Sequence, residues 1–385
     1  MSGGVKRYLH EKINYIEKFS PGDEHVLIVP GNKTKVESNG RSRIYSIRSP
    51  LVSRAGRYRA LVNLRAVQNI LRKERPDIIE SSDPYQLGWK AVRAGRTLKI
   101  PVVGFYHSHF PEAYLRSSAR LFGKRAARRV MKLSRTYVRR LYNRFEATMV
   151  ASERLASILR DWGVGNLFVV SLGVNVEIFR PNDGDRQQIR DSLGVDGARK
   201  LLLYVGRLAK EKNTGILFKA FELLCEEDLG AFHLLVIGQG PQRRQLRRLQ
   251  QQRPNLSWIP YCADPNELAR YYRAADLFVH PGMQETFGLV ALESQASGTP
   301  VVGIRDSSLK DVIFHDHSDW AAENTAEALA DAIKRFSEKK LSVLGKKAAQ
   351  TVARLHAWPL VFDRLFCIYR ETCANYNQTS PNGRK

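Results

Sequence analysis

Along the chain, short apolar runs alternate with segments in which apolar residues recur every three or four positions. The runs fall at 25–29, 78–80, 102–106, 147–151, 167–170, 201–205, 232–237, 256–259, 277–280 and 301–304. Most are continuously apolar. Strands covered on both faces have that signature, whereas half-exposed strands alternate apolar with polar. The pattern predicts an α/β protein of parallel sheets clothed by helices. A polar stretch around 179–197, carrying Pro181, Gly184 and Gly194, separates two series of β-α units. The expected organisation is a first domain over 1–180 and a second over 181–358. A terminal helix over 359–376 then packs back on the first domain, and a disordered tail covers 377–385.

Composition adds a compartment and a partner. No apolar run approaches the ~20 residues of a membrane-spanning helix, and no signal peptide opens the chain. The four cysteines stand in no CxxC or metal spacing, which fits a reducing compartment. A cytoplasmic protein is expected, soluble or resting on the inner face of the membrane. His315 and His317 sit in a polar loop and read as surface residues rather than metal ligands. The net charge of +24 calls for an anionic partner: nucleic acid, anionic lipid or phosphorylated substrate. Charge alone does not choose among them. Residues 115–145 hold eleven Lys or Arg and no Asp or Glu. Val130, Leu133, Tyr137, Leu141 and Phe145 recur there at helical spacing. This basic amphipathic helix points to an anionic membrane surface, where each basic residue contributes ~1 kcal/mol. Nucleic acid is not expected, because interleaved aromatics and helix-turn-helix, zinc or RNP patterns are missing.

Candidate chemistry gathers at strand ends. After the run ending at His280 come Pro281 and a turn, Glu285-Thr-Phe-Gly288, that opens a helix; Gly298 and Pro300 close it. A turn at the carboxyl end of a parallel strand stands where open α/β sheets bind ligands. There the amides of Gly288 and Leu289 can receive a phosphate. Glu285 and Glu293 can accept hydrogen bonds from sugar and ribose hydroxyls. The run ending at Val205 leads into Gly206, which permits close backbone approach, and then Arg207 and Lys212. Two cations there suit a diphosphate leaving group, whose charge grows as a glycosidic bond breaks.

Two glutamates eight apart around a Phe-Gly helix start, followed by Gly298-Thr-Pro-Val-Val302, resemble the retaining GT-B glycosyltransferases of family 4. Gly206-Arg207 with Lys212-Asn213 is similar to the donor motif of the same family. The resemblance covers nearly the whole chain. It implies two Rossmann-like domains whose parallel sheets face each other across a cleft. It assigns Glu285 to the donor sugar, Glu293 to the ribose, and Arg207, Lys212 and the amides around Thr286, Phe287, Gly288 and Leu289 to the diphosphate. Gly238 and Gly240 match a strand-end turn on the base side of the donor pocket. Gly4 lies in the family's glycine loop, where the backbone passes close to the donor phosphates. In the first domain His107 matches the family's loop histidine near the reacting sugar. His109, Asp83 and Tyr85 stand on the acceptor side.

The activity implied is retaining transfer of a hexose from a nucleoside-diphosphate sugar to a hydroxyl of a lipid-linked or saccharide acceptor. No cofactor and no metal are expected, since the family has no obligatory metal and no DxD motif stands near either site. An epimerase-like enzyme of the same fold and a basic nucleic-acid-binding protein are the alternatives. Two departures stand out. The family begins with a strand before its glycine loop, so the native start is expected upstream. Arg305-Asp-Ser-Ser-Leu-Lys-Asp311 replaces the family's glycine-rich loop.

Overall fold

The computed structural model describes residues 3–53, 58–107, 110–283, 285 and 287–379. The chain divides into two compact units, Met1–Leu172 with Pro359–Lys385, and Gly173–Trp358.

The first unit opens with the helix Gly3–Phe19. Strands β1 (His25–Gly31), β2 (Lys35–Asn39) and β3 (Ser42–Arg48) form one sheet in the order β1-β3-β2. β1 and β3 are parallel; β2 is antiparallel to β3. A short antiparallel pair follows, β4 (Leu51–Ser53) and β5 (Tyr58–Arg59). A four-stranded parallel sheet is built from β6 (Ile79–Ser81), β7 (Val102–Tyr106), β8 (Ala147–Val150) and β9 (Leu167–Val169), side by side in that order. β7 and β8 are buried along their whole length, as their continuous apolar runs require.

The second unit carries one five-stranded parallel sheet. Its strands are β10 (Lys200–Val205), β11 (Phe232–Ile237), β12 (Leu256–Ile259), β13 (Leu277–His280) and β14 (Val301–Gly303), in the order β12-β11-β10-β13-β14. Leu201, Leu202, Leu203, Leu234, Leu235, Leu277 and Phe278 are all fully buried between the flanking helices.

Each of the ten expected runs coincides with a strand. Strands β2 to β5 are not among the expected runs. In β3, Ile44, Tyr45 and Ile47 are interrupted by Ser46 and flanked by Arg43 and Arg48, and β2 is exposed throughout, so neither has the signature of a doubly covered strand.

The unit boundary falls at Leu172, ahead of the expected 180. Residues beyond it are tied into the second unit. Val174 bridges Ala357, Arg273 donates to the Ile178 carbonyl at 3.3 Å, and buried Phe179 meets the Tyr272 ring edge-on at 6.0 Å. The last helix, Trp358–Thr379, brings Phe362 against Tyr8 and Tyr15 (centroids 5.6 and 5.3 Å). Tyr15 donates to Asp363 Oδ1 at 2.5 Å. This helix continues past 376, so 377–379 are helical rather than part of a disordered tail. After Pro359 in its first turn, where proline is tolerated, no glycine or proline follows until Pro381. Residues 380–385 lie outside the described residues.

The long helix Phe110–Tyr142 contains the basic segment. Val138, Leu141 and Tyr142 are buried, and Arg125, Arg128, Arg129, Lys132, Arg135, Arg139 and Arg140 are exposed. Leu133, expected on the apolar face, is 70% exposed among these cations. Each four-residue step advances about 40° around an α-helix, so two steps carry Leu133 well away from Leu141.

Candidate active site

The second sheet fixes where chemistry can occur. From β10 the chain adds β11 and β12 on one side, then returns to place β13 and β14 on the other. The order reverses between β10 and β13, and ligands bind at the carboxyl ends of strands flanking such a reversal. Both motif segments leave the sheet there. β10 ends before Gly206 and Arg207, and β13 ends before the Glu285 turn.

Lys212 lies in the short helical turn Lys210–Lys212 and donates from Nζ to Glu285 Oε1. His280 Nε2 lies 3.4 Å from the same oxygen. Burial raises the Glu285 carboxyl, but hydrogen bonds and charge from His280 and Lys212 outweigh burial and hold it at about 2. Glu285 is therefore an ionised acceptor at neutral pH.

The backbone around this pair is clamped. The Glu285 amide donates to Ser308 Oγ at 2.6 Å, and Ser308 Oγ donates to the Glu285 carbonyl at 2.8 Å. Asn213 Nδ2 donates to the Pro281 carbonyl at 3.0 Å, tying the Lys212 turn to the loop after β13. Buried Leu309 fills the space beside Gly288, where a Cβ would sit 2.2 Å from Leu309 Cδ2. Gly288 also holds φ at 83° at the start of the helix Leu289–Ala296, a conformation that favours glycine. Thus the loop that departs from the family pattern braces the Glu285 turn from behind.

The remaining sequence candidates fall as follows. Arg207 pairs with Glu211 at 2.9 Å, rather than with Glu285, and its side chain is mostly exposed. Gly238 and Gly240 are close-approach positions. A Cβ on Gly238 would lie 1.9 Å from the Gly206 carbonyl oxygen, and one on Gly240 2.2 Å from that of Leu208. These glycines let the turns after β10 and β11 pack backbone on backbone. Glu293 is buried and accepts from the Tyr272 hydroxyl at 3.3 Å. Phe287 is buried. Thr286 lies outside the described residues.

In the first unit, β6 and β7 are neighbours, so their ends lie side by side. Asp83 Oδ1 accepts the Tyr85 amide at 2.8 Å, and burial raises its carboxyl against the pull of three backbone amides. Tyr85 is exposed. His107 stands just past β7, its Nε2 3.2 Å from Ser82 Oγ. Gly4 is in the first turn of the opening helix, and His109 lies outside the described residues. His315, expected at the surface, is buried, and its Nε2 accepts the Val301 amide at 2.9 Å. It helps to anchor β14.

Sequence reasoning missed His280 and Ser308 as supports of the site, and placed Asn213 in the donor motif without its bond to the Pro281 carbonyl. His280 left a trace, as a polar residue closing an apolar run at the point of strand reversal. Ser308 left none, because its role depends on two loops meeting.

Comparison with known proteins identifies the family. Residues 2–178 match the family model of Glycosyltransferase Family 4, and residues 185–352 that of Glycosyl transferases group 1. A GDP-mannose-dependent alpha-mannosyltransferase of Corynebacterium glutamicum is 30% identical over 76% of this chain and 67% of its own. The GDP-mannose-dependent alpha-(1-6)-phosphatidylinositol dimannoside mannosyltransferase of Mycobacterium tuberculosis is 32% identical over 83% of this chain and 80% of its own. Among solved structures, sucrose-phosphate synthase of Thermosynechococcus elongatus superposes with a TM-score of 0.73, at 21% identity, over 97% of this chain and 94% of that one. Fold and strand-end motifs together define a glycosyltransferase of the GT-B class. Within that class, the chain belongs to the group 1, family 4 glycosyltransferases.

Proposed function

We propose that this enzyme transfers a hexose, with retention at the anomeric carbon, from a nucleoside-diphosphate sugar to a hydroxyl of a lipid-linked or saccharide acceptor in glycolipid or polysaccharide synthesis. The observation that carries the reading is the meeting of Lys212 and Glu285 at the reversal between β10 and β13. A cation and an ionised carboxylate side by side match the two ends of a sugar diphosphate. Lys212 takes the phosphate charge that develops on bond cleavage, and Arg207, paired with Glu211, is proposed to assist it. Glu285 accepts the sugar hydroxyls. Its Oε1 is engaged by both Lys212 and His280, which favours a binding role over nucleophilic attack. The leaving diphosphate and the incoming hydroxyl are then proposed to share one face of the sugar. Within the first unit, His107 is assigned to the reacting sugar, and Asp83 and Tyr85 to the acceptor.

Both sequence relatives described above are GDP-mannose-dependent, so GDP-mannose is the first donor to test, with UDP-glucose second. The exposed cations of the helix Phe110–Tyr142 support work at an anionic leaflet on a lipid acceptor. Among the described residues, no helix is long and apolar enough to cross a membrane.

The test is transfer of labelled sugar to phosphatidylinositol-type and other lipid acceptors, with the product anomer read by NMR. Lys212→Ala and Glu285→Ala should each lose several kcal/mol of transition-state stabilisation, comparable to the ~2.7–4 kcal/mol of one oxyanion donor. Near-normal transfer in both variants would remove the proposed site.

A further inference from the structure

A chain of hydrogen bonds behind His107 is not used by the reading above. The imidazole lies flat against Phe105, with centroids 4.0 Å apart and planes within 3°. The Tyr8 ring meets it edge-on at 5.0 Å. Nε2 lies 3.2 Å from Ser82 Oγ, and Ser82 Oγ donates to Glu80 Oε1 at 3.2 Å. The other oxygen of Glu80 accepts from Lys12 Nζ at 2.8 Å, from the Tyr8 hydroxyl at 3.3 Å and from the Tyr369 hydroxyl. Lys12 also donates to the Tyr369 oxygen at 2.8 Å.

The direction of these bonds follows from counting hydrogens. Glu80 faces one ammonium and three hydroxyls, so it is ionised and can only accept. Burial raises its carboxyl, but Lys12 and the bonds it receives overcome burial and bring it to about 2. Ser82 has a single hydroxyl hydrogen, and it is committed to Glu80. The Ser82 oxygen can then only accept from His107, which places a hydrogen on Nε2. Burial lowers His107 to about 4, with Glu80 opposing and Lys12 assisting. The ring is therefore neutral at pH 7, and one nitrogen keeps its lone pair.

We propose that Ser82 and Glu80 are positioning residues that lock His107 in the Nε2–H tautomer, so that Nδ1 is presented as a hydrogen-bond acceptor. Any hydroxyl meeting the ring at Nδ1 must then donate to it. The mechanistic value of this lock rests on the transferase reading, in which His107 serves the reacting sugar. The lock itself does not depend on that reading.

The test uses the full chain with 15N-labelled histidine. The His107 ring signals, assigned through His107→Gln, report the tautomer directly. The wild type should show a protonated Nε2 and an unprotonated Nδ1. Ser82→Ala should shift the ring toward a mixture of tautomers, and Ser82→Thr, which keeps the hydroxyl, should restore the wild-type pattern. With an active donor and acceptor, Ser82→Ala should lower kcat about ten- to a hundredfold with little change in donor KM, and Ser82→Thr should recover most of it. A wild-type ring protonated on Nδ1 overturns the lock without any variant having to fold. An unchanged tautomer in Ser82→Ala also overturns it. If no transfer is found but the tautomers behave as stated, the lock stands and the transferase reading fails. Normal transfer with the wrong tautomer leaves the reverse.

Discussion

Lys212 donates to Glu285 across the gap between two neighbouring strand ends, although 73 residues separate them in sequence. Each is the other's partner, with His280 close by. In the reading proposed above, a sugar diphosphate meets charges that are already held in place, which limits the reorganisation needed on binding.

This pairing sets an acid limit. The Glu285 carboxyl falls from its ordinary 4.5 to about 2 in the folded chain. Its contribution to stability is present above pH 4.5 and is lost as pH falls through about 2. The contribution amounts to roughly 3 kcal/mol. Glu285→Gln should therefore lose less stability than the wild type between pH 6 and pH 2. Denaturant titrations across that range measure the difference, and parallel pH curves for the two proteins would contradict it.

Ser308 holds the Glu285 turn by two backbone bonds. Ser308→Ala removes both and leaves the Glu285 amide without its acceptor, at a cost of about 1–3 kcal/mol. Transfer activity should fall about tenfold through a misplaced carboxylate. Steady-state kinetics with a thermal melt separates the two effects, and a variant that melts earlier yet keeps its kcat would limit Ser308 to a structural role.

Gly238 has no room for a methyl group, because a Cβ there would lie 1.9 Å from a backbone oxygen that cannot swing aside. Its φ of 151° adds strain for any other residue. Gly238→Ala should destabilise the second unit by about 2 kcal/mol or more. Gly165→Ala, where nothing lies within 4 Å, should be close to neutral. Equal melting temperatures for the two variants would mean that the turns after β10 and β11 do not pack as described.

The cationic face of the helix Phe110–Tyr142 predicts graded membrane binding. Arg128→Ala, Lys132→Ala and Arg139→Ala should each weaken binding to vesicles containing anionic lipid about fivefold, or ~1 kcal/mol. Added salt should narrow the difference. Vesicle co-sedimentation, with neutral-lipid vesicles as control, measures this. Equal binding to both vesicle types would remove the electrostatic reading.

The parallel sheets are legible in the sequence because doubly buried strands must be apolar throughout, and runs such as 201–205 and 232–237 leave no other reading. The Lys212 and Glu285 segments are legible because glycines and charges punctuate strand ends. Sequence spacing does not reveal β3, which is interrupted by Ser46 and flanked by Arg43 and Arg48, or the bracing role of Ser308 and Leu309. Those features arise where distant loops meet, and local periodicity carries no record of such meetings. Spacing puts Leu133 on the wrong side of its helix because three- and four-residue steps tolerate a drift that only the packed neighbours resolve.

The final helix has a bearing on how the molecule is made. Tyr369 joins Lys12 and Glu80, and Phe362 covers Tyr8 and Tyr15, so of the two units the one begun earlier on the ribosome is finished later. The continuous stretch Gly173–Trp358 can complete its own core while the earlier stretch still waits for its closing helix. During synthesis at about 5–20 residues per second, the growing chain carries uncovered aromatic surface for some ten seconds or more, the interval in which a chaperone would find it.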